Sequence, residues 1–173
     1  MANKTQHIET IAVHGAQTVH SSGSDIIQPI HLSTTFERKA DGSLNDYVYS
    51  RAGNPNRLTV ENKIAAMEEA TTAIAFSSGL AAVNALFENI LEPGSHIIIP
   101  DDCYHGTRYL MDKFFKRWQV SFSETDMTVI ENIEKLIQPN TKLIWMETPS
   151  NPQLKIADIK SIIASSCNVM LCS

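Results

Sequence analysis

Phe76-Ser77-Ser78-Gly79-Leu80-Ala81-Ala82 joins two different periodicities. Ahead of it, Ala73-Ile74-Ala75-Phe76 is a short apolar run of the kind a buried strand shows. Behind it, Leu80, Val83, Leu86, Phe87 and Ile90 recur at helical spacing. The segment therefore reads as strand, tight turn, helix. The first N–H groups of a helix have no partner within it, and together with the helix dipole they form a seat for an anion, most often a phosphate. Gly79 has no Cβ, so its backbone can approach such a ligand closely. The plainer reading is that Ser77 or Ser78 caps the helix and Gly79 makes the turn. The rest of the chain favours the anion.

Working outward, the same alternation repeats. Apolar runs stand at Ala73–Phe76, His96–Pro100, Gln119–Phe122, Leu143–Met146 and Asn168–Cys172, roughly every two dozen residues. Helical patterns lie between them, at Leu80–Ile90, Thr107–Lys116, Val129–Ile137 and Ile156–Ala164. Strands alternating with helices at this spacing predict βαβ units, an α/β fold and a mostly parallel sheet. Ligands of such sheets bind beyond the carboxyl ends of the strands. Just past those ends stand Ser77-Ser78-Gly79, then Asp101-Asp102-Cys103-Tyr104-His105, then Ser123-Glu124-Thr125-Asp126, then Glu147-Thr148-Pro149-Ser150-Asn151-Pro152. Asp126 is expected to be the cap of the following helix rather than a site residue.

The amino-terminal part is different. Residues 6–16 are weakly helical, and from Thr18 to Arg57 regular patterning dissolves, with a joint at Ser21-Ser22-Gly23-Ser24 and a turn at Asp41-Gly42-Ser43. Forty irregular residues are too many for a plain loop, and Phe36, Tyr47 and Tyr49 are aromatic residues that a disordered segment usually lacks. Residues 1–57 are expected to form an arm that packs on a neighbouring subunit, and residues 58–173 an α/β domain. A helix resumes after Asn54-Pro55, with Asn54 or Asn56 as its cap.

The 173 residues carry a formal net charge of −5 and are 43% hydrophobic, an ordinary globular balance. No Lys/Arg tract invites nucleic acid or an anionic membrane surface, and no apolar run is long enough to span a bilayer. Cys103, Cys167 and Cys172 form no C-x-x-C pair, and the six histidines show no H-E-x-x-H pattern, so no metal site is indicated. Reduced thiols and a polar start fit a cytoplasmic protein.

Five stretches together resemble one family, the cystathionine γ-synthase/β-lyase group of pyridoxal-phosphate (PLP) enzymes. They are Pro29-Ile30-His31-Leu32-Ser33-Thr34-Thr35-Phe36, Tyr49-Ser50-Arg51-Ala52-Gly53-Asn54-Pro55, the Phe76–Ala82 stretch, Tyr104-His105-Gly106-Thr107, and Glu147-Thr148-Pro149-Ser150-Asn151-Pro152. The resemblance covers nearly all of residues 7–160. It implies a fold-type I PLP-dependent transferase with three α/β/α layers, and a homo-oligomeric enzyme of transsulfuration, a dimer of dimers. Its substrates would be amino acids of the cystathionine, homoserine-ester or cysteine class. It would catalyse elimination or replacement at the β or γ carbon, as a lyase or a synthase. By that likeness Ser78, Gly79 and Leu80 hold the cofactor phosphate. Tyr104 stacks on the pyridine ring and assists proton movement. Asn151 bonds near the ring's phenolic oxygen, and Glu147 orders the same loop. Tyr49 and Arg51 reach a partner's cofactor phosphate, a task that suits the planar guanidinium fork of arginine.

The chain departs from the family at Asn56, where threonine is usual, and at His105, where glycine is usual. Tyr109 stands where many members have a substrate-binding arginine, with Arg108 one place earlier, and Gly106 replaces the cysteine of methionine γ-lyases. The aspartate expected after Asn168–Cys172 and the Schiff-base lysine expected beyond it do not occur among the 173 residues; none of the nine lysines has the matching context. A truncated, catalytically inactive amino-terminal fragment of marginal stability is therefore expected. The alternative is a non-catalytic PLP- or anion-binding module that associates with a full-length paralogue. A nucleotide binder on a similar sheet lacks its glycine motifs.

Overall fold

A computed structural model describes residues 6–15, 27–165 and 170–172. The joint at Ser21–Ser24, Cys167 and the start of the Asn168–Cys172 run lie outside the described residues. The chain divides into two compact units, residues 1–75 and 76–173.

In the first unit, α1 (Ile8–His14) packs on α2 (Pro55–Met67). Asn54 is the cap of α2: its side chain accepts from the Asn56 N–H at 2.9 Å, and Pro55 fills the first helical position, where a missing N–H costs nothing. Asn56 does something else. Its Oδ1 accepts from the His31 N–H (3.0 Å) and its Nδ2 donates to the His31 carbonyl (2.8 Å), so one amide copies the pairing of a neighbouring strand. Between residues 27 and 54 the described chain has only turns and one antiparallel bridge, Thr35 to Tyr49.

The second unit holds α3 (Gly79–Ile90), β1 (His96–Pro100), α4 (His105–Lys113), a 3-10 turn (Phe115–Trp118), β2 (Ser121–Thr125), α5 (Ile130–Leu136), β3 (Thr141–Trp145), α6 (Ile159–Ser165) and β4 (Met170–Cys172). The strands form one parallel sheet in the order β2-β1-β3-β4, with His96 opposite Ser121 and Leu143 opposite Met170. Alternation along the strands feeds two cores. Ile97, Ile99 and Leu143 pack with Phe87 and Leu91 at the end of α3, Met111 of α4, and Phe115. Ile98, Ile144 and Met146 face the other way, onto Ile133 of α5 and Ile162 of α6. Helices on both faces of a parallel sheet make the three-layer α/β/α architecture.

Ala73–Phe76 is not a strand. Ile74 and Phe76 are exposed, and the Ala75 N–H is taken by the Glu61 carboxylate at 3.0 Å rather than by a neighbouring strand. A short apolar run becomes a strand only where a sheet edge meets it, and none does among the described residues. β2 starts two residues later than expected because Gln119 turns left-handed (φ 63°) to end the 3-10 turn, and the strand runs on through Ser123 and Glu124 at the sheet's edge.

Among the described residues, one of the wholly buried polar side chains is an imidazole. His96, at the start of β1, is buried; Nδ1 lies 2.8 Å from Thr141 Oγ1 and Nε2 lies 2.9 Å from Ser123 Oγ. Burial lowers its pKa below the ordinary imidazole value. The unfolded chain therefore takes up this proton first as pH falls through about 6.5, and stability declines from there down to the folded pKa by at most about 1.4 kcal/mol per pH unit. Urea midpoints taken at pH 7.5 and 5.5 should fall with acid, and His96→Asn should flatten the difference.

Candidate functional site

The carboxyl edge of the sheet collects the candidate residues of the second unit. α3 leads into β1 through the short segment 91–95, with the Phe87–Leu91 end of the helix packed in the core, so α3 runs antiparallel to the strand and its first turn lies toward the carboxyl edge. Ser78 caps this helix: Oγ accepts from the Ala81 N–H (3.2 Å) and the carbonyl accepts from the Ala82 N–H (3.1 Å). The N–H groups of Gly79 and Leu80 have no hydrogen-bond partner among the described residues. Gly79 is exposed, its φ lies outside the left-handed region, and a Cβ added there would meet no atom within 4 Å. Neither backbone conformation nor protein packing requires glycine here. The open space leaves both N–H donors accessible, as an anion needs.

Tyr104 stands just before α4, with its ring half exposed. Its N–H donates to Glu147 Oε2 at 2.8 Å. The other oxygen of Glu147 accepts from Trp145 Nε1 (3.1 Å) and, more weakly, from Thr107 Oγ1 (3.5 Å). One carboxylate thus ties the loop after β1 to the loop after β3. Gly106 is buried beneath the Tyr104 ring, and a Cβ at 106 would run into that ring. Asn151 lies exposed in the turn after Ser150, and the Ser150 hydroxyl donates to the buried Asp102 carboxylate. Arg108 donates to the Asp101 carbonyl and lies 3.1 Å from Glu124, so both its contacts are within the protein. Cys103 is buried; that burial and the nearby Glu147 charge push its thiol up to about 11, so it is not a nucleophile.

Asp126 is not the helix cap expected for it; Val129 occupies that place. Asp126 Oδ1 accepts from the N–H (2.9 Å) and hydroxyl (2.7 Å) of Thr128, and Oδ2 lies 3.0 Å from Lys155 Nζ. The Thr128 hydroxyl and N–H, followed by Lys155, hold its carboxyl down to about 2. In the first unit, Tyr49 and Arg51 meet each other: the guanidinium carbon stands 4.8 Å from the tyrosine ring centre, and both residues are exposed. Sequence reading placed Asp102 and Ser150 on this edge without giving either a task, and did not single out Lys155 or Trp145. Nothing in a sequence marks which polar residue of a strand end will be buried.

The model of one family, described as Cys/Met metabolism PLP-dependent enzyme, matches residues 9–172. The chain belongs to this family. Among related PLP-dependent enzymes, cystathionine gamma-synthase of Mycobacterium bovis is 42% identical over 154 residues, 88% of this chain and 40% of that protein. Cystathionine beta-lyase MetC of Staphylococcus haemolyticus is 43% identical over 136 residues, 79% of this chain and 34% of that protein. The crystal structure of metB from Corynebacterium glutamicum superposes with a TM-score of 0.90 at 40% identity, covering 96% of this chain and 44% of that one. That of cystathionine gamma-lyase from Lactobacillus plantarum, in complex with L-serine, gives 0.87 at 36% identity and the same coverage. The chain thus spans less than half the length of these relatives. The family's cofactor is pyridoxal 5′-phosphate. The first turn of α3 fits its phosphate, since two N–H groups without a partner among the described residues and a missing Cβ stand at the positive end of a twelve-residue helix. No helix among the described residues is long and apolar enough to cross a membrane.

Proposed function

We propose that this chain supplies the phosphate seat and one ring face of a cytoplasmic PLP-dependent enzyme of the cystathionine γ-synthase/lyase type. That enzyme eliminates or replaces a group at the β or γ carbon of a sulfur amino acid, cystathionine, homoserine-ester or cysteine in class. The observation that supports this reading is the pair of accessible N–H groups at Gly79 and Leu80 in the first turn of α3, together with the Glu147 carboxylate that fastens the Tyr104 loop. Bound PLP supplies an electron sink for negative charge developing beside its ring. The residues present bind and orient. Gly79 and Leu80 donate N–H groups to the phosphate. The Tyr104 ring covers the pyridine face, and its hydroxyl moves a proton at the reacting carbon. Glu147 keeps the Tyr104 backbone in place, and Asn151 bonds beside the phenolic oxygen.

Residues 1–57 serve as the arm of a homo-oligomer, a dimer of dimers, in which Tyr49 and Arg51 reach the phosphate held by a neighbouring subunit. Their exposed stack suits that task, since it pre-sets the guanidinium, which makes no ion pair among the described residues. The lysine that holds the cofactor covalently is not among the lysines here. Such an amine needs a lowered pKa, whereas Lys155, at the right edge, has its pKa raised by Asp126 and Asp101. The 173-residue chain alone should release no product from cystathionine, and measurable elimination would contradict this assignment.

The reading is tested by fluorescence titration of the chain. Pyridoxal 5′-phosphate should bind and be displaced by inorganic phosphate, and pyridoxal without phosphate should bind at least about tenfold more weakly, a difference of about 1.4 kcal/mol. Equal binding of the two would remove the phosphate seat. Gly106→Ala pushes the Tyr104 ring aside. It should weaken binding of pyridoxine 5′-phosphate about three- to tenfold, the worth of an aromatic stack. Because the ring is free to swing outward, unfolding free energy should change by less than about 1 kcal/mol.

A further inference from the structure

The loop that carries Asn151 is closed on itself and then fastened to two other strand ends. Ser150 N–H donates to the Lys155 carbonyl (3.0 Å), Lys155 N–H donates to Ser150 Oγ (2.9 Å), and Leu154 N–H donates to the Ser150 carbonyl (2.9 Å). The Ser150 hydroxyl passes its proton toward Asp102, on the loop that also bears Tyr104. Lys155 Nζ then bridges Asp101 Oδ1 at the end of β1 (3.1 Å) and Asp126 Oδ2 just past β2 (3.0 Å). One ammonium therefore joins the loops after β1, β2 and β3.

Charge explains why the bridge matters. Asp101, Asp102, Glu124, Asp126 and Glu147 gather on this edge, and Arg108 is already engaged by Glu124. With Lys155 gone, the Asp101 and Asp126 carboxylates would be left close together with no cation between them, and like charges at such range repel. The loop tips would then part. The lysine is a quarter exposed, and partly exposed ion pairs contribute little to overall stability. What the bridge removes is freedom of the Asn151 turn. None of these bonds touches the first turn of α3.

We infer that Lys155 is a positioning residue: it holds the turn bearing Asn151 against the loop bearing Tyr104, and so sets the fit of the pyridine ring but not of the phosphate. This rests on the proposed reading of Asn151 as a ring-side residue.

The test uses the 173-residue chain with two probes, pyridoxine 5′-phosphate and inorganic phosphate, titrated against wild type, Lys155→Met, Lys155→Arg and Asn151→Ala. Lys155→Met should bind pyridoxine 5′-phosphate about tenfold more weakly, and inorganic phosphate within about twofold of wild type. Lys155→Arg, whose guanidinium can bridge both carboxylates, should recover most of the loss. Unchanged binding of pyridoxine 5′-phosphate by Lys155→Met overturns the inference. So does an equal loss of both probes, which is what a merely structural lysine would give, and so does failure of arginine to restore binding. Asn151→Ala separates the two levels. If its affinity for pyridoxine 5′-phosphate matches wild type, the ring-side reading falls and the role of Lys155 falls with it. A loss in Asn151→Ala with none in Lys155→Met removes only the role of Lys155.

Discussion

Replacing Gly79 with aspartate is expected to leave helix α3 as stable as before, or slightly more so, and to abolish phosphate binding. The two effects have opposite signs for one physical reason. A carboxylate in the first turn of a helix is favoured by the dipole by about 0.3–1 kcal/mol. The same carboxylate stands where the phosphate would sit, and two like charges about 4 Å apart near a protein surface repel by up to about 4 kcal/mol. Gly79 has no positive φ to lose, and an added Cβ meets no atom within 4 Å, so the fold should tolerate the change. Affinity for pyridoxal 5′-phosphate should fall by at least about 100-fold, or about 2.7 kcal/mol, while the urea midpoint holds or rises. Retained binding would mean that the anion sits elsewhere. A collapse of stability would mean that Gly79 is required by the fold, as the plain turn reading has it.

The second large effect belongs to Glu147. Glu147→Ala leaves the Tyr104 N–H and the Trp145 indole N–H without their acceptor, along with the weaker Thr107 contact. An orphaned donor costs about 1–3 kcal/mol. Because Tyr104 lies partly in water and can find a replacement there, the expected total is about 2–4 kcal/mol. A melting temperature lower by roughly 5–15 °C would register it. Glu147→Gln keeps one acceptor oxygen and turns an amide NH2 against the remaining donors, for about half that loss. The Tyr104 ring is only indirectly held, so its fluorescence should become more accessible to a soluble quencher in both variants. A melt of Glu147→Ala within about 1 °C of wild type would show that the bridge between the two loops contributes nothing.

The parts of the fold that the sequence announced are those where one residue type dominates a short window. Ile97-Ile98-Ile99 reads as a buried strand and is one, because its side chains fill both cores. Asn54-Pro55 reads as a helix start and is one, because cap and first-turn chemistry are local. Ala73–Phe76 has much the same composition as a strand, yet its edge meets no partner among the described residues and the Glu61 side chain takes one of its N–H groups instead. That outcome depends on residues far away in sequence, which no local window contains. The site follows the same division. The Tyr104 and Glu147 positions were legible as strand ends, and the Gly79 turn as a helix start, though the strand expected ahead of it is absent. The Lys155 bridge was not, because it joins Asp101 and Asp126, which are separated from it by 54 and 29 residues. Asn56 was expected only as a cap or a mild substitution. Its two-point grip on His31 depends on how residues 27–54 fold back, and irregular segments carry no periodicity from which to read that.

The central claim is that the first turn of α3, the Tyr104 loop and the Asn151 turn border one cofactor site. The most direct measurement is an amide NMR titration of the isotope-labelled chain, first with inorganic phosphate and then with pyridoxine 5′-phosphate. Inorganic phosphate should move the Gly79 and Leu80 amide signals and leave those of Tyr104 and Asn151 in place; pyridoxine 5′-phosphate should move all four. Shifts confined to other parts of the surface, or a pyridoxine phosphate response at Gly79 without one at Tyr104 and Asn151, would contradict it.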